Sequence, residues 1–270
     1  MLSMNSGLGR ALDLTWTFGK YTNDKELLAA LGHAAPQHSL RSEFEYANAN
    51  FAILGELIER VTGLEWDAFL KQRMWEPLGM TRTFGSAFEA KNDSDMTSGH
   101  VSCGDQVLGP FSLVMSPEAQ LVWGETGNKL AAGSIVSSSD DMAKFMRLVL
   151  NKGSIDGVTI VNSTEVISEM VSGKTVVNAA TAAYFASSGH QFVPEGNTLA
   201  ASYGLDFVSH ALWGHAYFEK GGDTSLQHTR TGFAPDAQLG VAITINSMRT
   251  TGGSFFVDHI RSYVMGIFLD

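Results

Sequence analysis

"EKGGDTSLQHTRTGFAPDAQLGVAITINS", residues 219–247, decides the fold. Its apolar residues come in short runs broken by Gly-Gly-Asp and Pro-Asp, the pattern of brief strands joined by turns. Upstream, "SYGLDFVSH" (202–210) and "HAYFEKG" (215–221) read the same way, so an antiparallel meander is expected after about residue 200. Downstream, Ser254 to Phe268 places Phe256, Ile260, Val264 and Ile267 at helical spacing, predicting a closing helix.

The first two thirds read mainly helical. Phe51, Leu54, Leu57, Ile58 and Val61 recur at the 3.6-residue period, with Glu56, Glu59 and Arg60 opposite and Gly63 at the stop. Trp66, Phe69 and Leu70 mark a shorter helix that ends before the Pro77 and Gly79 turn. In "AAGSIVSSSDDMAKFMRLVLNKG", Ser138 and Asp141 form a capping-box pattern. There Met142, Phe145, Met146 and Val149 make the apolar stripe, and Gly153 ends the helix. A further helix is expected over about 163–172, with Val166, Ile167 and Met170 inward. Residues 84–130, rich in Gly, Ser and Asp, read as long loops of the kind that carry binding surface. The whole is an α+β protein: one domain over 1–270, mainly helical to about 200 and stranded beyond.

Composition narrows the function. The 270 residues are 44% hydrophobic and 17% charged, enough for a sizeable core. A net charge of −10 without clustered Lys or Arg argues against nucleic acid and anionic membrane surfaces. No apolar run approaches the roughly 18 residues of a membrane span. Cys103 is the single cysteine, so neither an internal disulfide nor a zinc site of paired cysteines is expected. The histidines lack metal-ligand spacing; His210 and His215, five apart, suit neither a helix nor a strand site. No cofactor and no metal are expected.

One stretch raises a sharper question. In "EFEYANANFAILGELIERVTG" (43–63), Tyr46 and Asn48 stand two apart just ahead of an amphipathic helix. By themselves they read as a packed tyrosine and a helix N-cap, Lys220 as a solvated lysine and Gly221-Gly222 as a turn.

Four stretches in order change that balance. "LSMNSGLG" (2–9) resembles "LLTHTSGL", and the Tyr46-Ala47-Asn48 segment with its following helices resembles a Y-x-N segment. "AAGSIVSSSDDMAKFM" resembles "PAGGLVSTAEDLARFM", and the strand with Lys220-Gly221-Gly222 resembles a K/H-x-G strand. Together they resemble the serine β-lactamase and penicillin-binding-protein superfamily, in its branch of class C β-lactamases, D-alanyl-D-alanine peptidases and esterases.

The resemblance implies hydrolysis of a small ester, amide or peptide through an acyl-enzyme. Tyr46 would be the general base or proton shuttle, a role open to a phenol only where lysines favour the phenolate below the ordinary value of about 10. Asn48 would hold the substrate's amide carbonyl, and Lys220 would add positive field. Gly222 would let the backbone approach, and the Asp223 N–H would serve as an oxyanion donor. His190, His215 and His228 are left as structural or surface residues.

The superfamily's nucleophile is a Ser-x-x-Lys, and no serine of this chain is followed by lysine three residues on. Ser172 and Lys174 are two apart and cannot share a helix face that way. In relatives that motif lies some way before the "LLTHTSGL" segment, which here begins at residue 2. The resemblance thus implies a domain without its first strands and nucleophile helix. It implies an unpaired sheet edge, no turnover by the chain as given, and a truncated gene model, a fragment completed by another chain, or a remodelled pseudoenzyme that forms a homo-oligomer.

Overall fold

The computed structural model describes residues 1–9, 24–112, 130–187, 199–223, 226–249 and 255–269. These form two compact units, Met1–Met96 with Ser112–Asp141, and Thr97–Phe111 with Met142–Asp270. Strands occur before residue 200 as well, the first of them at Gly99–Cys103.

The first unit is built on α1 (Asp24–Leu31), α2 (Ala49–Thr62), α3 (Trp66–Leu70) and the single turn α4 (Ala87–Ala90). The chain continues from α3 into a wider π-type turn, Lys71–Trp75. Leu27, Ala52 and Leu130 form its buried cluster, with Leu28, Leu31 and Ala132 packed around them. Helix α2 ends where expected, at Gly63 in the left-handed region (φ 73°), whose N–H donates to the Glu59 carbonyl.

The buried face of α2 differs from the expected stripe. Ala49, Asn50, Ala52 and Gly55 are buried, while Leu57 and Val61 are exposed. Size explains the reversal. A Cβ on Gly55 would lie 2.8 Å from the Ala131 Cβ, so this side sits against its neighbour at a separation only small residues permit.

Among the described residues the second unit holds three sheets. β5 (Thr175–Val176), β6 (Leu199–Ala201), β7 (Asp206–Leu212), β8 (His215–Asp223), β9 (His228–Ala234) and β10 (Leu239–Ile245) form a six-stranded sheet ordered β10-β9-β8-β7-β6-β5. Its neighbours are antiparallel throughout, the meander expected from sequence. β1 (Gly99–Cys103) pairs antiparallel with β2 (Gln106–Phe111) and parallel with β11 (Ser247–Arg249). This hairpin lies where long loops were expected. β3 (Ser154–Ile155) and β4 (Val158–Thr159) make a small hairpin.

The helix read from the capping box is α5 (Ser139–Leu150), and the Asp141 N–H donates to Ser138 Oγ at 3.2 Å. With α6 (Thr164–Met170) it covers one face of the sheet, where Val149, Ile167, Leu205, Phe218 and Phe233 form a buried cluster. Of the residues expected inward on α6, Ile167 is buried and Val166 exposed. α7 (Ala179–Ser187) follows, and α8 (Phe255–Leu269) covers the opposite face of the sheet at β9 and β10.

The inward residues of α8 are Val257, Asp258, Arg261 and Met265, while Ile260 and Ile267 are exposed. Charges take the buried face because they are paired across it. Arg261 Nη2 donates to Glu219 Oε2 at 2.7 Å, and Arg230 Nε donates to Asp258 Oδ1 at 2.8 Å.

Candidate active site

In the first unit the N-terminal segment runs beside residues 37–45. The Glu45 N–H donates to the Met4 carbonyl at 2.8 Å, the Arg41 N–H to Asn5 at 2.9 Å and the Gln37 N–H to Gly7 at 2.9 Å. Gly7 has a positive φ of 83°, and a Cβ there would lie 2.3 Å from the His38 carbonyl oxygen. The "SGLG" spelling is therefore a steric requirement. This brace leads directly into Tyr46.

Tyr46 and Asn48 are half-buried, and the Tyr46 hydroxyl donates to Asn48 Oδ1 at 3.2 Å. Asn48 precedes α2 with helical backbone (φ −60°, ψ −30°), and its side chain makes no cap hydrogen bond. Its backbone carbonyl accepts from the Phe51 N–H at 2.9 Å, so it starts the helix through its main chain while its amide is turned to the phenol. The N-cap reading of the Asn48 side chain is therefore replaced by a phenol–amide pair. The phenol and the amide two residues on thus share a hydrogen bond.

In the second unit Lys220, Gly222 and Asp223 lie together at the end of β8, paired with Thr231, Thr229 and His228 of β9. Strand alternation puts Lys220 and Gly222 on the face shared with Phe218, and Glu219, Gly221 and Asp223 on the face toward α8. The Lys220 carbonyl accepts from Thr231 Oγ1 at 3.1 Å. A Cβ on Gly222 would lie 2.7 Å from Thr229 Oγ1, so glycine is what fits beside that hydroxyl.

Asp223 is anchored. Its carboxylate takes Arg230 Nη1 at 2.9 Å on one oxygen and Nη2 at 3.2 Å on the other, and lies 2.7 Å from His228 Nδ1. Arg230, fully buried, passes the connection to Asp258, which also lies 2.9 Å from Arg261 Nη2. Burial pushes the Asp258 carboxyl up from its ordinary value, against the opposing pull of Arg261 and then Arg230. Reading the sequence alone left His228 aside and did not single out Arg230. The available signal was an arginine that alternates with Gly232 and Ala234 along the strand, on a face whose other residues beyond His228 are small, a position where a buried guanidinium needs a counter-charge.

The Beta-lactamase family model matches residues 1–259 of the chain. The chain belongs to the β-lactamase family. Among curated relatives of this β-lactamase-family chain, Protein flp of Staphylococcus aureus is 25% identical over 162 residues, 60% of this chain and 30% of that one. Among solved structures, the octameric penicillin-binding protein homologue from Pyrococcus abyssi superposes with a TM-score of 0.73 at 22% identity, covering 99% of this chain and 54% of that one. The D-amino acid amidase from Ochrobactrum anthropi, complexed with D-phenylalanine, gives a TM-score of 0.69 at 18% identity, covering 98% and 76%. The β-lactamase-like α+β fold expected from the motifs is thereby established, and the chain spans only part of the length of these relatives.

Among the described residues, no group of three or more His, Cys, Asp or Glu side chains is placed to hold a metal ion. No helix among them is long and apolar enough to cross a membrane.

Proposed function

We propose that this chain is a β-lactamase-related protein of serine-hydrolase type, carrying the phenol, amide and strand portions of an acyl-transfer site. Tyr46 is the proton shuttle, Asn48 and Gly222 line the substrate, Lys220 supplies positive field and the Asp223 N–H receives the oxyanion. The observation that supports this best is the order of the four motifs within a family match running over residues 1–259. The Tyr46–Asn48 hydrogen bond and the anchoring of Asp223 support it further.

In relatives that carry Ser-x-x-Lys a serine hydroxyl adds to the ester or amide carbonyl as its proton passes to the base. The tetrahedral oxyanion then collapses, expelling an alcohol or amine that takes the proton back. The substrates proposed are small esters, amides or peptides, consistent with likeness to an amidase of D-amino acids. Without Ser-x-x-Lys in its 270 residues, the chain as given is proposed to bind such molecules without turning them over.

The same missing motif favours a second reading, a non-catalytic binding or assembly protein. A chromogenic cephalosporin, p-nitrophenyl esters and a fluorophosphonate label test the proposal on the purified chain. No turnover and no adduct are expected, and a stoichiometric covalent adduct on a serine would refute it. Calorimetry with D-phenylalanine amide tests binding in the cleft, and Asn48→Ala is expected to weaken it about tenfold, the loss of roughly one hydrogen bond. Under the second reading the cleft serves binding alone, and Tyr46→Phe leaves the protein's function intact.

A further inference from the structure

Asp223 poses an electrostatic problem for the site proposed above. Its backbone N–H is the proposed oxyanion donor, yet its own carboxylate is tethered within about 4 Å of that nitrogen by covalent geometry. A negative oxygen bonded to the N–H would stand about 5–7 Å from a like charge, close enough to weaken binding by roughly an order of magnitude. The aspartate suits that place only if its charge is answered.

The fold answers it on the α8 face of the sheet. Arg230 takes both carboxylate oxygens, with Nη1 2.9 Å from Oδ1 and Nη2 3.2 Å from Oδ2, a two-pronged contact. His228 Nδ1 stands 2.7 Å from Oδ1, and a ring nitrogen that faces a carboxylate holds its proton. Arg230 is itself fixed from behind. Its Nε donates to Asp258 Oδ1 of α8 at 2.8 Å and its Nη1 to the Thr229 carbonyl at 2.7 Å. Arg261 Nη2 holds the same Asp258 oxygen at 2.9 Å. Arg230 and Arg261 are 0% exposed and Asp258 2%, so the charges meet each other instead of water.

Gly221 belongs to the same device. It lies between Glu219 and Asp223 on the α8 face, where a Cβ would stand 3.1 Å from Arg230 Nη1 and 3.2 Å from its Cζ. The guanidinium thus lies across bare backbone on its way to Asp223. Of the two glycines after Lys220, the first makes room for an arginine and the second for the Thr229 hydroxyl.

We infer that Arg230, assisted by His228, is a positioning residue that neutralises the Asp223 carboxylate and draws it toward α8, so that the end of β8 accepts a tetrahedral anion. The inference rests on the functional reading of the Asp223 N–H given above and adds a charge preference to it. This strand end favours a ligand whose reacting centre carries negative oxygens over the corresponding neutral amide. The carboxylate ties the strand to the helix, and the guanidinium keeps that tie from repelling the ligand.

The test compares two ligands on the full chain by calorimetry. D-phenylalanine amide is neutral at its carbonyl, whereas the phosphonate analogue of D-phenylalanine carries charge on tetrahedral oxygens. The unsubstituted chain is expected to bind the phosphonate more tightly, with the Gly222 and Asp223 amide resonances shifting on its addition. Arg230→Gln is expected to weaken the phosphonate at least about tenfold more than it weakens the amide. Adding Asp223→Asn to that variant is expected to recover most of the difference, because the unanswered charge is gone. Asp223→Asn alone is expected to tighten the phosphonate a few-fold, whereas the loss of a mere anchor would weaken it. This last variant, its fold checked by circular dichroism, decides the matter where Arg230→Gln fails to fold. No binding of the phosphonate, equal weakening of both ligands by Arg230→Gln, or weakening by Asp223→Asn would overturn the inference. Binding of the phosphonate without the amide would instead count against the ester and amide reading and leave the charge preference standing.

Discussion

Arg230 carries more of the second unit than its side-chain size suggests. It is fully buried, and its five donors are shared among Asp258, Asp223 and backbone carbonyls at Gly222 and Thr229. Arg230→Ala leaves the buried Asp258 carboxylate, and the more exposed Asp223, without that guanidinium, and removal of one partner of a buried ion pair typically costs about 3–5 kcal/mol. Urea unfolding of the variant is expected to show a loss of that size, and a loss below about 1 kcal/mol would mean that water replaces the arginine. At this scale the sequence was partly legible. Tyr46, Asn48, Lys220 and Gly222 stand out because short motifs preserve their spacing. Arg230, Asp258 and Glu219 do not, because their partners come from β8, β9 and α8, and no local pattern links residues so far apart along the chain.

Elements were legible where their period was clear. The meander, α2, α5 and α8 all lie close to their expected bounds, and the Ser138 cap and Gly63 stop are where the residue types put them. Their facing was harder to read. In α2 the buried side is small and the larger aliphatics look outward; in α8 the buried side is charged and the isoleucines look outward. Hydrophobicity ranks residues by transfer from water, whereas these helices are seated by close approach and by ion pairing. Accordingly Val61→Lys, at a position 76% exposed, is expected to change stability by less than about 0.5 kcal/mol. Gly63→Ala should cost about 1 kcal/mol, because alanine resists the left-handed backbone. Thermal unfolding of the two variants checks the contrast, and the reverse order would return Val61 to the core.

For the whole molecule, Tyr217 gives a handle on stability against pH. It is fully buried on the α8 face of the sheet, and burial chiefly, then the charges of Glu219 and Asp258, hold its hydroxyl well above the ordinary tyrosine value, with Arg261 opposing. In the unfolded chain the phenol ionises near pH 10. Above that pH the unfolded state sheds a proton that the folded state keeps, so stability falls as pH rises, by up to about 1.4 kcal/mol per unit. Tyr217→Phe is expected to flatten denaturation midpoints between pH 10 and 11; an unchanged slope would place the alkaline sensitivity elsewhere.

The two faces of the large sheet also differ in kind. Against α5 and α6 it is oil, with Phe218 stacked on Phe233 at 5.6 Å between ring centres. Against α8 it is salt, through Glu219, Arg230, Asp258 and Arg261. A protease that clipped the chain ahead of α8 would thus uncover ionic groups that water solvates well, instead of grease that aggregates. The severed tail could find its seat again by charge, as a peptide does with its receptor.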